Sequence, residues 1–169
     1  MFKPSPIAAF VRVIASAAVL FAAPLAAMAQ ASSDFVPVTD AMLQDPAPED
    51  WLMWRRTLDS WGYSPLDQIN RDNVDEIQMV WTRALSQGLQ QGTPLVYNGV
   101  LYMPNPRDVI QAIDAVTGDL IWEYRRDRPD DLADYMIGSL IDTNRNLAIH
   151  GELIIDTSMD DHIFALHAE

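Results

Sequence analysis

Residues 112–122 read AIDAVTGDLIW. Residues 109–114, which overlap the start of this stretch, are rich in β-branched side chains and alternate in polarity. Thr117-Gly118 favours a turn, and residues 120–122 resume an apolar run. This pattern predicts a strand, a turn and a second strand. The first half of the stretch recurs as ALHAE at residues 165–169.

A second pattern recurs at nearly the same spacing. LVYNGVLY at 95–102 predicts two short strands around Asn98-Gly99, because both turn residues tolerate positive φ. LAIHGELII at 147–155 has the same form, and Gly151 follows Gly99 by 52 residues. We therefore predict an internal repeat of about fifty residues.

Each repeat contains four strand candidates, which in the first unit lie near residues 93–97, 100–103, 109–114 and 120–125. Four strands per unit favour a β-propeller blade. We predict an all-β chain, an incomplete β-propeller of about one and three-quarter blades, with short N-terminal helical turns. Because propeller closure takes four to eight blades, we expect a truncated product, a fragment or a broken gene.

The N-terminus predicts export. A basic start precedes an apolar run at residues 13–27 that Pro24 interrupts, and Ala27-Met28-Ala29 supplies the small residues that a signal peptidase reads. We predict a signal peptide over residues 1–29 and a periplasmic location. The alternative, a membrane anchor, is disfavoured because the apolar run is short.

The composition excludes several classes of protein. The chain has 11 basic and 24 acidic residues, and two basic residues lie in 1–29, which leaves nine basic residues and a net charge of −15 for the exported part. Such a charge disfavours binding to nucleic acid and anionic membranes. The absence of cysteine excludes disulfides and a lipoprotein anchor, so we expect no stable membrane anchor.

The segment before the repeats has two parts. Residues 30–50 contain three prolines and predict an exposed arm with one helical turn at 40–43. The other part, residues 51–169, is predicted to form the propeller. Its start places an aromatic and apolar set at steps of three, four and three residues, which predicts one helical face that packs on the sheet: Trp51, Trp54, Leu58 and Trp61.

Downstream, Asn73 is a predicted cap of a helical turn, and residues 78–85 predict a strand. Arg125, Arg126 and Arg128 predict a solvated connecting loop, with a site for carboxylates as the alternative. The chain's three histidines lack metal-ligand spacing and, with Asp160-Asp161, are interpreted as turn or strand residues: His150, His162 and His167.

Residues 112–122 match the tryptophan-docking repeat A-x-D-x-x-T-G-x-x-x-W at every fixed position. With the segment from Ser64 to Asn70 and the GTPLV run at 92–96, the chain resembles the N-terminal part of the periplasmic alcohol dehydrogenases that depend on pyrroloquinoline quinone (PQQ). The resemblance extends from about Trp54 to Glu169 and implies an eight-bladed propeller.

The resemblance implies two cofactor-binding residues. Gln91 stands where the family usually has a glutamate beside the quinone, and Arg145 matches an arginine that reaches the reactive carbonyl oxygens of the quinone. Without the resemblance, Arg145 is interpreted as part of a surface or blade-linking ion pair. Ser139-Leu140 stands where the better-known enzymes have adjacent cysteines in a vicinal disulfide.

The resemblance also implies the chemistry of the full-length protein. It would oxidise a small-molecule alcohol to an aldehyde with PQQ and a Ca²⁺ or lanthanide ion, and would pass electrons to a cytochrome. We assign no catalytic and no metal-ligating residue to this chain, because both sets are expected beyond Glu169, so this fragment alone is expected to be inactive. The alternatives are a non-catalytic propeller scaffold with the same repeats and a truncated relic without function.

Overall fold

The computed structural model describes residues 35–135 and 143–169. The signal peptide and Ser139-Leu140 therefore lie outside the described residues. The elements, in chain order, are helix α1 (Asp40–Gln44), a 3₁₀ helix (Val74–Glu76), strands β1 (Leu95–Tyr97), β2 (Val100–Asn105), β3 (Val109–Asp114) and β4 (Leu120–Arg125), helix α2 (Leu132–Tyr135), and strands β5 (Ala148–His150), β6 (Leu153–Thr157) and β7 (Ile163–His167). Within the described ranges, no helix is long and apolar enough to cross a bilayer.

The first four strands form an antiparallel sheet in the order β1-β2-β3-β4. Asn98 and Gly99 connect β1 to β2 with φ values of +49° and +76°, and Tyr97 pairs directly with Val100. Both positive φ values match the two-residue hairpin turn that suits the right-handed twist of strands. The strand prediction for this unit is confirmed.

The turn between β3 and β4 explains why the repeat has polar residues at the positions of Asp114 and Thr117. The carboxylate of Asp114 accepts hydrogen bonds from the backbone N–H groups of Thr117, at 2.8 Å, and Val116, at 2.9 Å. These bonds lower the pKa of Asp114 below its usual value, because they favour the ionised carboxylate. Gly118 then takes a φ of +77°, which residues with a side chain rarely adopt.

The second sheet repeats the first with one strand fewer. Its order is β5-β6-β7, all antiparallel, and Gly151 after β5 has a φ of +58°. The fifty-residue repeat and the all-β, partial-propeller class are thereby confirmed.

Tryptophans dock each unit on the next. The indole N–H of Trp122 donates to the carbonyl oxygen of Ala168 at 3.1 Å. Trp81 makes the same bond to Ala115, also at 3.1 Å, and Ala115 precedes Ala168 by 53 residues. Trp81 therefore contacts the first sheet as Trp122 contacts the second.

The core lies where the two sheets meet. Tyr102 is 1% exposed, its hydroxyl donates to the carbonyl of Ala168 at 3.1 Å, and its ring lies 6.1 Å from that of Trp122. Other buried side chains of this cluster are Val38, Leu52, Leu95, Ile110, Ala112, Ile149 and Ile154.

The segment before the sheets is attached to both of them. Although the sequence predicts an exposed arm over residues 30–50, Val38 is 1% exposed and exchanges two backbone hydrogen bonds of 2.8 Å with Gly151. The helical turn within it is confirmed as α1, because Thr39 caps it by accepting a bond from Met42 N at 3.3 Å. The turn after Asn73 is confirmed as the 3₁₀ helix, but the side chain of Asn73 makes no capping bond to it and accepts a bond from Asn70 N at 2.9 Å instead.

The predicted helical face over residues 51–61 is wrong. Trp51 pairs its backbone with Val96 of β1, and Trp61 is 73% exposed. Arg56 and Ser60 have φ values of +68° and +58°, which an α-helix does not permit. The tryptophan spacing suits a helix, but the backbone between them consists of turns.

The predicted strand over residues 78–85 is also wrong. The segment has no regular secondary structure, and it exchanges no backbone hydrogen bonds with a strand among the described residues. Side chains attach it to the first sheet instead, since Trp81 bonds to Ala115 and Arg83 donates to the carbonyl of Gly118 at 3.3 Å.

Candidate functional site

Gln91 and Arg145 are in direct contact. The Nε–H of Arg145 donates to Oε1 of Gln91 at 3.0 Å, and both residues are exposed. Gln91 lies just before β1 and Arg145 just before β5, so the contact joins equivalent edges of the two sheets. The resemblance assigned both residues to the cofactor, but the sequence contained no sign that they touch each other.

A close approach of backbone segments positions this pair. A Cβ on Gly92 would lie 2.4 Å from the carbonyl oxygen of Pro104, so only glycine lets the chain pass this close to β2. The next residue, Thr93, donates its N–H to the carbonyl of Arg145 at 2.8 Å. The Gly-Thr pair therefore ties the backbone beside Gln91 to both sheets.

The pair leaves hydrogen-bond donors available. Arg145 is exposed, and its Nε is the guanidinium nitrogen that bonds to Gln91; the terminal nitrogens make no hydrogen bond to the described part of the chain. The side-chain N–H₂ of Gln91 likewise has no partner in the described part of the chain. A planar guanidinium with open terminal nitrogens suits carbonyl and carboxylate oxygens, which it can bind at two points.

The sequence interpretation missed a buried carboxylate behind Arg145. Asn144, 6% exposed, donates from Nδ2 to Oδ2 of Asp156 at 2.6 Å. The other carboxylate oxygen accepts from the N–H of Thr157 at 2.8 Å. Burial raises the pKa of Asp156 to about 6, although both bonds oppose that shift. The only sequence signal is a single acid inside the apolar strand LIIDT.

At the central residue of the arginine cluster, Arg126, the structure shows neither a solvated loop nor a free site for carboxylates. The guanidinium of Arg126 lies 2.8 Å from the carboxylate of Asp160 and donates to Oγ of Ser158 at 3.0 Å. Ser158 in turn donates to Asp108 at 2.5 Å. Burial alone raises the pKa of Asp160, but interactions with Arg126, Ser158 and His162 together outweigh burial and lower the pKa to about 2. Arg126 therefore joins the turns of the two sheets.

The histidine interpretation is confirmed. His150 lies in β5, His167 ends β7, and His162 lies in the turn before β7. Across residues 35–135 and 143–169, no group of three or more His, Cys, Asp or Glu side chains is placed to hold a metal ion.

Comparison with known proteins identifies the family. Residues 51–169 match the β-propeller domain of the PQQ glucose/ethanol/alcohol dehydrogenase family. The chain is 36% identical over 126 residues to the dehydrogenase subunit of the quinone alcohol dehydrogenase of Gluconacetobacter polyoxogenes, a match that covers 74% of this chain and 17% of that protein.

Solved structures agree. The quinohemoprotein alcohol dehydrogenase ADHIIG of Pseudomonas putida HK5 superposes with a TM-score of 0.70 at 31% identity, over 79% of this chain and 20% of that one. A europium-containing methanol dehydrogenase gives a TM-score of 0.65 at 25% identity, over 73% and 22% of the two chains. The chain spans about a fifth of the length of these relatives. It belongs to the family of PQQ-dependent alcohol dehydrogenases with a β-propeller fold.

Proposed function

We propose that this chain is the N-terminal part of a periplasmic enzyme that, in full length, oxidises small alcohols to aldehydes with PQQ and a Ca²⁺ or lanthanide ion. A cytochrome is the proposed electron acceptor. The observation that supports the proposal is the contact between Arg145 and Gln91, the two positions that the family resemblance assigns to the quinone.

The residues present fit the cofactor. PQQ carries carboxylates and adjacent carbonyl oxygens, which are hydrogen-bond acceptors. Arg145 offers the open terminal nitrogens of a guanidinium, and Gln91 offers a free amide N–H₂ within the described part of the chain. Both side chains are exposed at the same edge of the sheets, so they would hold PQQ from one side.

Each residue has a distinct role in this proposal. PQQ supplies the redox chemistry when it is bound, and the protein binds and orients it. Arg145 places a fixed positive charge beside the carbonyl oxygens, where negative charge develops as the quinone is reduced. The hydrogen bond that Arg145 accepts from Thr93 and the one that it donates to Gln91 hold that charge in place before the cofactor arrives.

Gln91 alters this electrostatic arrangement. A glutamate at this position would pair with the guanidinium and neutralise part of its charge. The amide of Gln91 accepts the same hydrogen bond at 3.0 Å without that neutralisation. More of the positive charge of Arg145 is then available to the quinone.

The catalytic base and the metal ligands are proposed to lie in blades outside this chain. On this proposal the 169-residue polypeptide alone oxidises no alcohol, whereas the full-length product does. The experiment is to produce the full-length protein, titrate it with PQQ in the presence of Ca²⁺ or a lanthanide, and follow alcohol oxidation with a dye acceptor.

The matched test compares two exposed arginines. Arg145→Ala should weaken PQQ binding about tenfold or more, because hydrogen bonds to charged groups contribute roughly 1.5–3 kcal/mol. Arg125→Ala removes the same charge from a side chain that pairs with Glu123 at 2.8 Å, and should leave PQQ affinity nearly unchanged. Absence of PQQ binding by the full-length protein, or equal losses for both variants, would overturn the proposal.

A further inference from the structure

Arg145 is held by its own backbone as well as by its side chain. Its carbonyl accepts the N–H of Thr93 at 2.8 Å, which fixes the segment from the first sheet. The preceding residue, Asn144, is fixed from the second sheet by its 2.6 Å bond to Asp156. The peptide from which the Arg145 side chain extends is therefore fixed on both sides.

The bond between Asn144 and Asp156 is well placed to be strong. Asp156 lies in β6, the central strand of its sheet, opposite Phe164 of β7, and is 2% exposed. Both of its oxygens accept hydrogen bonds, from Asn144 and from Thr157 N. A short bond to an ionised acceptor in a buried setting is stronger than a neutral one.

An ionised carboxylate at position 156 costs folding free energy, and the fold alone does not require one there. Desolvation disfavours the charged form of Asp156, and the nearby carboxylate of Asp108 disfavours it further. An apolar residue would fill the interior of a central strand without this cost. The carboxylate instead engages the residue that precedes Arg145.

We propose that Asp156 is a positioning residue for the candidate quinone site: through Asn144 it fixes the backbone of Arg145, so that the guanidinium is aligned with Gln91 and the cofactor. This inference rests on the proposed function. Asp156 does not itself contact the cofactor.

The first test needs no cofactor. In the intact protein, Asp156→Asn should speed amide hydrogen exchange in residues 143–147 about tenfold or more, since the substitution removes the charge from the acceptor of the Asn144 hydrogen bond. Asp114→Asn is the matched control, because Asp114 also accepts two hydrogen bonds, both of them from backbone N–H groups, but lies in the β3–β4 turn. It should leave exchange at 143–147 unchanged.

The second test measures PQQ affinity in two backgrounds. Asp156→Asn should weaken PQQ binding about tenfold, at the lower end of what outer partners of binding residues show in metal sites. In an Arg145→Ala background the same substitution should have little further effect, because the residue through which it acts is missing. A general structural role would reduce affinity equally in both backgrounds.

The third test is a reciprocal exchange. In Asn144→Asp combined with Asp156→Asn, the amide introduced at position 156 can donate to the carboxylate introduced at position 144, while its oxygen still accepts from Thr157 N. Exchange and affinity should return toward those of the parent protein.

The outcomes separate the two ideas. If the parent protein binds no PQQ, the proposed function fails, and the cofactor role of Asp156 fails with it. If the parent binds PQQ but Asp156→Asn changes neither exchange nor affinity, or changes affinity equally in both backgrounds, only the present inference is overturned. Failure of the reciprocal exchange to restore either property would also overturn it.

Discussion

Replacing Gly118 with alanine should destabilise the protein more than its backbone conformation alone explains. Gly118 has a φ of +77°, so any side chain there costs about 1–2 kcal/mol. In addition, a Cβ would lie 2.6 Å from Cδ2 of the Trp81 ring, a distance that real Cβ atoms do not show. The ring would have to move away from the turn.

Displacing Trp81 adds a second cost. Its indole bond to Ala115, at 3.1 Å, would be lost at about 1 kcal/mol, and partial exposure of the half-buried ring adds roughly 1 kcal/mol. We therefore expect Gly118→Ala to lower the free energy of unfolding by about 3–4 kcal/mol. The measurement is urea unfolding followed by circular dichroism.

Gly99 provides the matched control. Its φ is +76°, but a Cβ there would meet nothing within 4 Å. Gly99→Ala should cost only the conformational part, about 1–2 kcal/mol. The excess for Gly118→Ala should disappear in a Trp81→Ala background. Equal losses for the two glycines, or an excess that persists without the indole, would refute the docking argument.

Three further predictions use the same measurement. Arg126→Met should cost about 3 kcal/mol, because it leaves the carboxylate of Asp160 buried without its cation; a loss below about 1 kcal/mol would contradict this. Tyr102→Phe should cost only about 1 kcal/mol, because its carbonyl partner, Ala168, keeps the bond from an indole, and a loss above about 3 kcal/mol would show that the hydroxyl does more. For Asp156, the folded state raises the pKa from 3.8 to about 6, so the folded protein holds this proton more tightly than the unfolded chain does. The resulting stabilisation, roughly 3 kcal/mol, is present below pH 3.8 and is lost as the pH rises through about 6. Asp156→Asn should remove this part of the pH dependence. If the variant loses as much free energy of unfolding between pH 3.8 and pH 7 as the parent protein does, the assignment is contradicted.

The repeat and its strands could be predicted because their signals are local. Asn98-Gly99 and Thr117-Gly118 encode turns that need positive φ, and the alternating runs beside them encode paired strands. The number of strands in each unit and the spacing of the units follow from those turns. No contact distant in the sequence is needed to recognise them.

Two segments were misinterpreted because their conformation depends on partners far away in the chain. The tryptophan spacing of residues 51–61 fits a helix, but the backbone of Trp51 pairs with Val96 of the first sheet instead. Residues 78–85 have the composition of a strand, but Trp81 docks on a turn more than thirty residues later. In both segments tertiary contacts outweigh local propensity.

The sequence by itself determined the fold class, the repeat and, through the family resemblance, the two candidate quinone residues. Only the tertiary structure decided that Gln91 and Arg145 touch, and that the buried pair Asn144 and Asp156 stands behind them. The physical reason is that a hydrogen bond between residues 54 positions apart forms only after two separately encoded sheets have packed together. Local periodicity describes each sheet but contains no information about which edge of one meets which edge of the other.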